Sequence, residues 1–266
     1  MILKKILWTI KRHPFLYRSR FKLLSKNSNI HEIEAYSYND INEKNEIPKY
    51  FYEINDLVFL SGLPSSDLER VKKLNKWLVE HIKGGPGLSV PSEEALKIML
   101  AGKGGVCSDM AQIFNNFCVI NDIQVREWGS TRAPYEEEYG GHSYNEVFIK
   151  ELNKWVFVDV SYGIMFYYNE KPQSVIEFYQ LLREGKKLTF TSFLEEENTN
   201  KSSIYRNYLK PNTVPFLICN YSNKTYDKFL TNYRPYLPVF MIHFMLYLLN
   251  KSYHYRFPLN DYKEIF

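Results

Sequence analysis

The order of patterns along the chain predicts an α+β fold. Helical periodicities come first, strand-like alternation follows, and between them stands a glycine-led helix that opens on a cysteine. At 266 residues the chain can bury a full core, as one large domain or two small ones.

A helix is expected from Ser66. Ser-Asp-Leu-Glu is a capping box, Leu68, Val71, Leu74, Leu78 and Ile82 form the apolar stripe, and Gly84 and Gly85 stop it. A second helix reads from Ser92 (SEEALKIML) and ends before Gly102. A third opens at Cys107, with Met110, Ala111, Phe114, Phe117 and Cys118 along one face. Strand-like runs follow at 123–130, 142–150 and 154–160, with the polar loop TRAPYEEEYGG between the first two. Helical pattern returns at 172–185, led by Pro172 and closed by Gly185. Beyond residue 190 the pattern draws no firm boundaries. The stretch 237–249 (LPVFMIHFMLYLL) is apolar but shorter than the roughly twenty residues of a membrane span, so it reads as a buried or interfacial helix. The expected division is a basic arm and polar linker at 1–47, a core at 48–190 and an extension packed on it at 191–266.

Composition excludes several classes. The chain is 45% hydrophobic and 24% charged, as in an ordinary globular protein, and its 17% aromatic content carries no functional weight by itself. A net charge of +4 is too small to suggest a nucleic-acid partner. The charge is uneven, however: Lys4, Lys5, Lys11, Arg12, Arg18, Arg20, Lys22 and Lys26 stand in the first 26 residues without a single acid. Ile2, Leu3, Ile6, Leu7 and Ile10 lie between the first of them at helical spacing. This segment reads either as an arm packed on the domain or as a basic amphipathic helix on an anionic membrane. It lacks the uninterrupted apolar stretch and small-residue cleavage site of a secretory signal. The expected location is cytoplasmic, with peripheral membrane contact through residues 1–26 only under the second of these two readings.

Three cysteines, Cys107, Cys118 and Cys219, make no disulfide framework. On one helix Cys107 and Cys118 would stand about 16 Å apart, beyond the reach of a disulfide. No CxxC, HExxH, GxxxxGK[ST] or GxGxxG occurs, so neither a metal nor a cofactor is expected.

Cys107 is singled out by its setting. A cysteine used only for packing needs no position at a helix start, whereas the N–H groups and dipole there favour thiolate over thiol. The hairpin 142–160 supplies possible partners. On its first strand Ser143, Asn145, Val147 and Ile149 share one face and His142, Tyr144, Glu146 and Phe148 the other; on its second Val156, Val158 and Val160 oppose Trp155, Phe157 and Asp159. Pairing the aliphatic sets puts His142 and Asp159 together on the opposite face. Direct opposition of the two would place the turn at Lys150–Glu151. A carboxylate can hold an imidazole in one tautomer, and such an imidazole beside a thiol makes a nucleophile for carbonyl carbon. Each residue also has an ordinary reading: a turn before a packed helix, a satisfied histidine, a capping aspartate.

The blocks GGVCSDMAQIFNNFC, GGHSYNEVF and KWVFVDV resemble those of the transglutaminase-like superfamily, in order and spacing, over roughly residues 65–165. The residues carrying the resemblance are Gly105, Cys107 and Asp109; Gly141, His142, Tyr144, Asn145, Glu146 and Val147; Trp155, Val156 and Asp159. Val160 and Ser161 depart from the Pro-Thr that commonly follows the aspartate. The resemblance implies a papain-like core, its cysteine helix packed on an antiparallel sheet; extra N- and C-terminal helical segments are expected outside the resembling residues. It implies a Cys107–His142–Asp159 triad acting on an amide or ester carbonyl of a protein, peptide or other substrate, by hydrolysis or by transfer to an amine. The Cys107 N–H would be one oxyanion donor; Asn75 and Trp77 are candidates for the second. The alternative is a non-catalytic binding or assembly protein that keeps the fold.

Overall fold

A computed structural model describes residues 14–136, 138–194, 200–259 and 262–265, with side chains from residue 18 onward. The apolar stripe at 2–10 lies outside the described residues. The helix expected from Ser66 is α4 (Asp67–His81), preceded by α1 (Pro14–Leu24), α2 (Ile30–Glu34) and α3 (Lys49–Val58). Ser66 Oγ accepts from the Glu69 N–H, as the capping signal required. Next come α5 (Ser92–Leu100) and α6 (Cys107–Ile120), the latter starting on the cysteine itself.

One sheet then organises the chain. Its strands are β1 (Ser25–Asn27), β2 (Val125–Arg132), β3 (His142–Ile149), β4 (Lys154–Asp159), β5 (Ile164–Tyr168), β6 (Lys171–Pro172), β7 (Thr189–Ser192), β8 (Thr213–Cys219) and β9 (His254–Phe257). The order is β1-β9-β8-β2-β3-β4-β5-β6, with β7 also on β5. Every pair is antiparallel except β1 with β9. Both termini thus feed the sheet, and β8, from beyond residue 190, pairs directly with β2.

The alternation read from the hairpin separates two cores. Val125, Val147, Val156 and Val158 pack with Phe114, Phe117 and Cys118 of α6 and with helices α3 to α5. On the opposite face Trp128, Tyr144, Phe157 and Phe166 pack with Phe178 and Tyr179 of α7 (Val175–Arg183) and with Tyr208. Cys118 is fully buried in the first core, a packing residue.

Three expectations need correcting. The β3–β4 register is shifted by two residues: Val147 faces Val156 and Asn145 faces Val158. The cause is the connection, a four-residue loop made of one 3-10 turn (Lys150–Leu152) and Asn153 in the left-handed region at φ 47°, not a two-residue turn at Lys150–Glu151. A shift of two leaves every side chain on its expected face, where a shift of one would have inverted them all. The helix after Pro172 begins later than expected, because Pro172 ends β6 opposite Tyr167 and the reciprocal Ser174–Glu177 cap starts α7. The first strand begins at Val125 and runs to Arg132, two residues later than its apolar pattern suggested.

Helix α10 (Val239–Leu248) carries the apolar stretch 237–249. It buries Ile242 and Leu246 while Met241, Phe244, Leu248 and, just beyond it, Leu249 remain exposed. Among the described residues no helix is long and apolar enough to cross a membrane.

Candidate active site

The glycines before Cys107 have a geometric reason. Gly105 sits at φ +111°, and a Cβ there would come within 2.6 Å of the Met99 side chain. A Cβ on Gly104 would meet Leu88 and the Pro86 carbonyl. The chain can enter α6 at this angle only without side chains. Asp109 then fixes the helix start: its carboxylate accepts from the Val106 N–H at 2.9 Å and the Leu88 N–H at 3.3 Å. Cys107 stands in the first turn, half-buried, where N–H groups have no helical partner.

His142 is the first residue of β3 and Asp159 the last of β4. Although the corrected register does not set them directly opposite, they share a face and meet diagonally. With its proton on Nε2, His142 donates to Asp159 Oδ2 at 2.8 Å. That leaves Nδ1 for the Cys107 thiol, which lies close enough that each group shifts the other's ionisation. The three residues expected from the sequence are therefore in one place. Helix α6 covers one face of the sheet and the His–Asp pair lies on the other; thiol and imidazole meet where β3 begins.

The electrostatics follow from this arrangement. Burial pushes the Cys107 thiol up, but the hydrogen bond and charge of His142 and the Ser143 N–H outweigh it, leaving the thiol below its ordinary value. Burial disfavours the imidazolium, yet the Asp159 carboxylate and the thiol raise His142 to about 10. Both directions favour the thiolate–imidazolium pair.

Asp159 is fully buried and fully used. Its Oδ1 accepts from the N–H groups of Ser161 (2.7 Å) and Tyr162 (3.3 Å), and its Oδ2 from His142 and the Tyr208 hydroxyl. It caps the turn after β4 and holds the histidine at once, so the ordinary and functional readings of this residue coexist. Tyr162 stacks on the imidazole with centroids 5.3 Å apart, and Tyr208 meets it edge-on at 5.5 Å. Tyr208 escaped the sequence reading because it lies beyond the resembling segment, in a stretch whose pattern showed no boundaries.

Other motif residues serve the frame. Glu146 accepts from Arg126 (3.2 Å), the Trp128 indole (3.0 Å) and the Val175 N–H (2.8 Å), tying β3 to β2 and to the start of α7. Asn145 donates to the Ala111 carbonyl and to Asn115 Oδ1 of α6. Cys107 and His142 border a cavity of about 540 Å³. Neither Asn75 nor Trp77 lines it: Asn75 is buried elsewhere, and Trp77 stacks on His81 at 4.1 Å.

A helix-borne thiol thus stands beside a strand-borne His–Asp pair. Residues 60–160 match the family model described as the transglutaminase-like superfamily. Over that segment the chain is similar to this family, its fold is the α+β fold expected, and the match supports a cysteine-based catalytic function in general. Among solved structures, one similar to this chain is a protein from Cytophaga hutchinsonii described as a putative cysteine protease. The two are 17% identical with a TM-score of 0.31, over 42% of this chain and 37% of that one. No curated protein matches.

Proposed function

We propose that the protein is a thiol-dependent enzyme that transfers an acyl group from an amide or ester carbonyl through Cys107, His142 and Asp159. The observation that carries this reading is the shared position of thiol, imidazole and carboxylate, with His142 bonded to Asp159 at 2.8 Å and bordering one cavity with Cys107. The Cys107 thiolate attacks the carbonyl carbon, and the carbonyl π electrons move onto oxygen. The unpartnered N–H of Cys107 at the helix start supports that oxyanion. As the tetrahedral intermediate collapses, the imidazolium gives its proton to the leaving amine or alcohol, and a thioester remains on Cys107. His142, now neutral, takes a proton from the incoming water or amine that releases the acyl group. Asp159 holds the ring in one tautomer throughout.

The test is the rate of Cys107 alkylation by iodoacetamide against pH. In the wild type it should stay flat through neutral pH and fall only below the ordinary thiol range. In His142→Ala the inflection should climb towards the usual thiol value of about 8.5. An inflection already there in the wild type, and unmoved by the mutation, would remove the pair.

The acid-free basic run at residues 1–26 supports a second contact, with an anionic membrane surface. Co-sedimentation with phosphatidylserine vesicles should weaken from low to physiological salt and disappear on deletion of residues 1–26. Binding indifferent to both would end this reading.

A further inference from the structure

Beyond the thiol, the cavity has a floor and a wall that the triad does not use. Its floor is formed by β2 and β8, through Glu127, Phe216 and Ile218, and its wall includes Tyr221, Tyr226 and Tyr253 from the C-terminal segment. Glu127, opposite Asn145 on β3 and Ile218 on β8, is 1% exposed. One carboxyl oxygen, Oε2, accepts from Asn115 Nδ2 at 3.2 Å; the other, Oε1, has no partner. A buried carboxyl with half its capacity empty is costly to the fold unless something fills it.

The surroundings say what would fill it. Burial, then the neighbouring Cys107, push the Glu127 carboxyl up to about 8, with Asp109 a further negative neighbour. Among the described residues no cation is bonded to Glu127. Asp109 is already occupied by two backbone N–H groups. Arg20 also borders the cavity, but its guanidinium lies over the Tyr253 ring at 5.2 Å and is felt by Tyr226 and His243. The cavity thus combines a half-bonded carboxyl, which a bound cation would hold ionised, with aromatic side chains, the chemistry that holds an organic cation.

We propose that Glu127 is the specificity-determining residue of this cavity, and that it selects a protonated amine on the molecule entering beside Cys107, held by the carboxylate against the tyrosine wall. The proposal deepens the acyl-transfer reading and depends on it only for what the selection is used for. Binding of the cation itself needs no catalysis.

The test uses methanethiosulfonate reagents on the full-length protein, with Cys107 modification followed by peptide mass spectrometry. Aminoethyl, methyl and sulfonatoethyl reagents give cationic, neutral and anionic probes, each rate being divided by that for a free thiol in solution. The wild type should prefer the aminoethyl over the methyl reagent by about tenfold, the scale of one charge-assisted contact. Glu127→Gln should remove most of that preference and relieve the discrimination against the sulfonatoethyl reagent. The same ratio in both proteins would overturn the proposal. Should Glu127→Gln fail to fold, the wild type decides alone: n-butylammonium should slow the methyl reagent at Cys107 where n-butanol does not, and equal or absent protection would overturn it. These reagents also modify ordinary thiols, so the ratio stays readable even if Cys107 proves to be one. The failure of the nucleophile reading and the failure of this proposal therefore give different results.

Discussion

Asp159 and Glu127 are both carboxyl side chains on central strands, at most 1% exposed, one bonded to His142 and the other beside Cys107, yet they are built in opposite ways. Asp159 receives four hydrogen-bond donors, two on each oxygen. Glu127 receives one, on one oxygen. Four donors replace most of the water a carboxylate loses on burial, and two of them, from Ser161 and Tyr162, come from backbone that cannot swing away. Such a group is held in one place, suited to orienting its neighbour. A carboxyl with one donor has lost its water without replacement and stays close to its neutral form. The difference separates a residue completed by the fold from one that the fold leaves open.

The strongest break in the comparison is Asp159→Asn. The amide can still accept from the Ser161 and Tyr162 N–H groups, so the turn after β4 should persist and the circular dichroism should match the wild type. Its NH2, turned towards His142, favours the wrong tautomer and withdraws the charge that raises the imidazole to about 10. Turnover of an activated ester such as p-nitrophenyl acetate should drop about 10⁴-fold, the loss typical when an orienting carboxylate becomes an amide. The alkylation inflection of Cys107 should rise in parallel. A loss under tenfold with the inflection unmoved would show that Asp159 only caps its turn.

Glu127→Gln should act on stability with the opposite sign. The folded state holds the Glu127 proton to about 8, against an ordinary value of 4.5. Between these values the native protein binds more protons than the unfolded chain, so this group makes stability fall as pH rises from about 4.5 to about 8. A glutamine has no charge to bury. The variant should match the wild type near pH 4.5 and exceed it by on the order of 2 kcal/mol at neutral pH, a difference that denaturant titrations at several pH values would read. A variant less stable than the wild type at every pH would show that Glu127 is a satisfied structural ion after all.

The contrast also explains what the sequence disclosed. Cys107, His142 and Asp159 were legible because each depends on local chemistry: a glycine entry to a helix and the two-residue periodicity of strands, which survives any even shift of register. The register itself was not legible, since it depends on Asn153 adopting a left-handed conformation in a four-residue loop. The aromatic wall of the cavity was hidden for a topological reason. Residues 213–219 complete the sheet by pairing with β2 across more than eighty residues of chain, and nothing in the alternation of a strand names so distant a partner. Glu127 in turn shares a strand face with Val125, and nothing in IQVREWGS says that a carboxyl there will lie between Asn115 of α6 and a cavity bordered by β8.

Tyr208 marks the boundary between the two kinds of residue and should affect turnover far less than Asp159. It belongs to the late segment, in the π-helical turn Tyr205–Leu209, yet its hydroxyl donates to the same oxygen of Asp159 that holds His142. It is fully buried among Tyr144, Phe157, Phe166 and Phe178, so Tyr208→Phe keeps the packing and removes one hydrogen bond. Asp159 Oδ2 would then answer to His142 alone. Losing a donor to a charged acceptor should cost about 1.5–3 kcal/mol of stability, measured by denaturant midpoint. Turnover should change less than tenfold, because the tautomer of His142 is untouched. The carboxylate, less stabilised by its neighbours, becomes a better partner for the imidazolium, so the basic limb of the pH–rate profile should move upward. A stability loss with that limb fixed would make Tyr208 a packing residue that merely touches the site; a shift of the limb would make it the part of the late segment that tunes the early one.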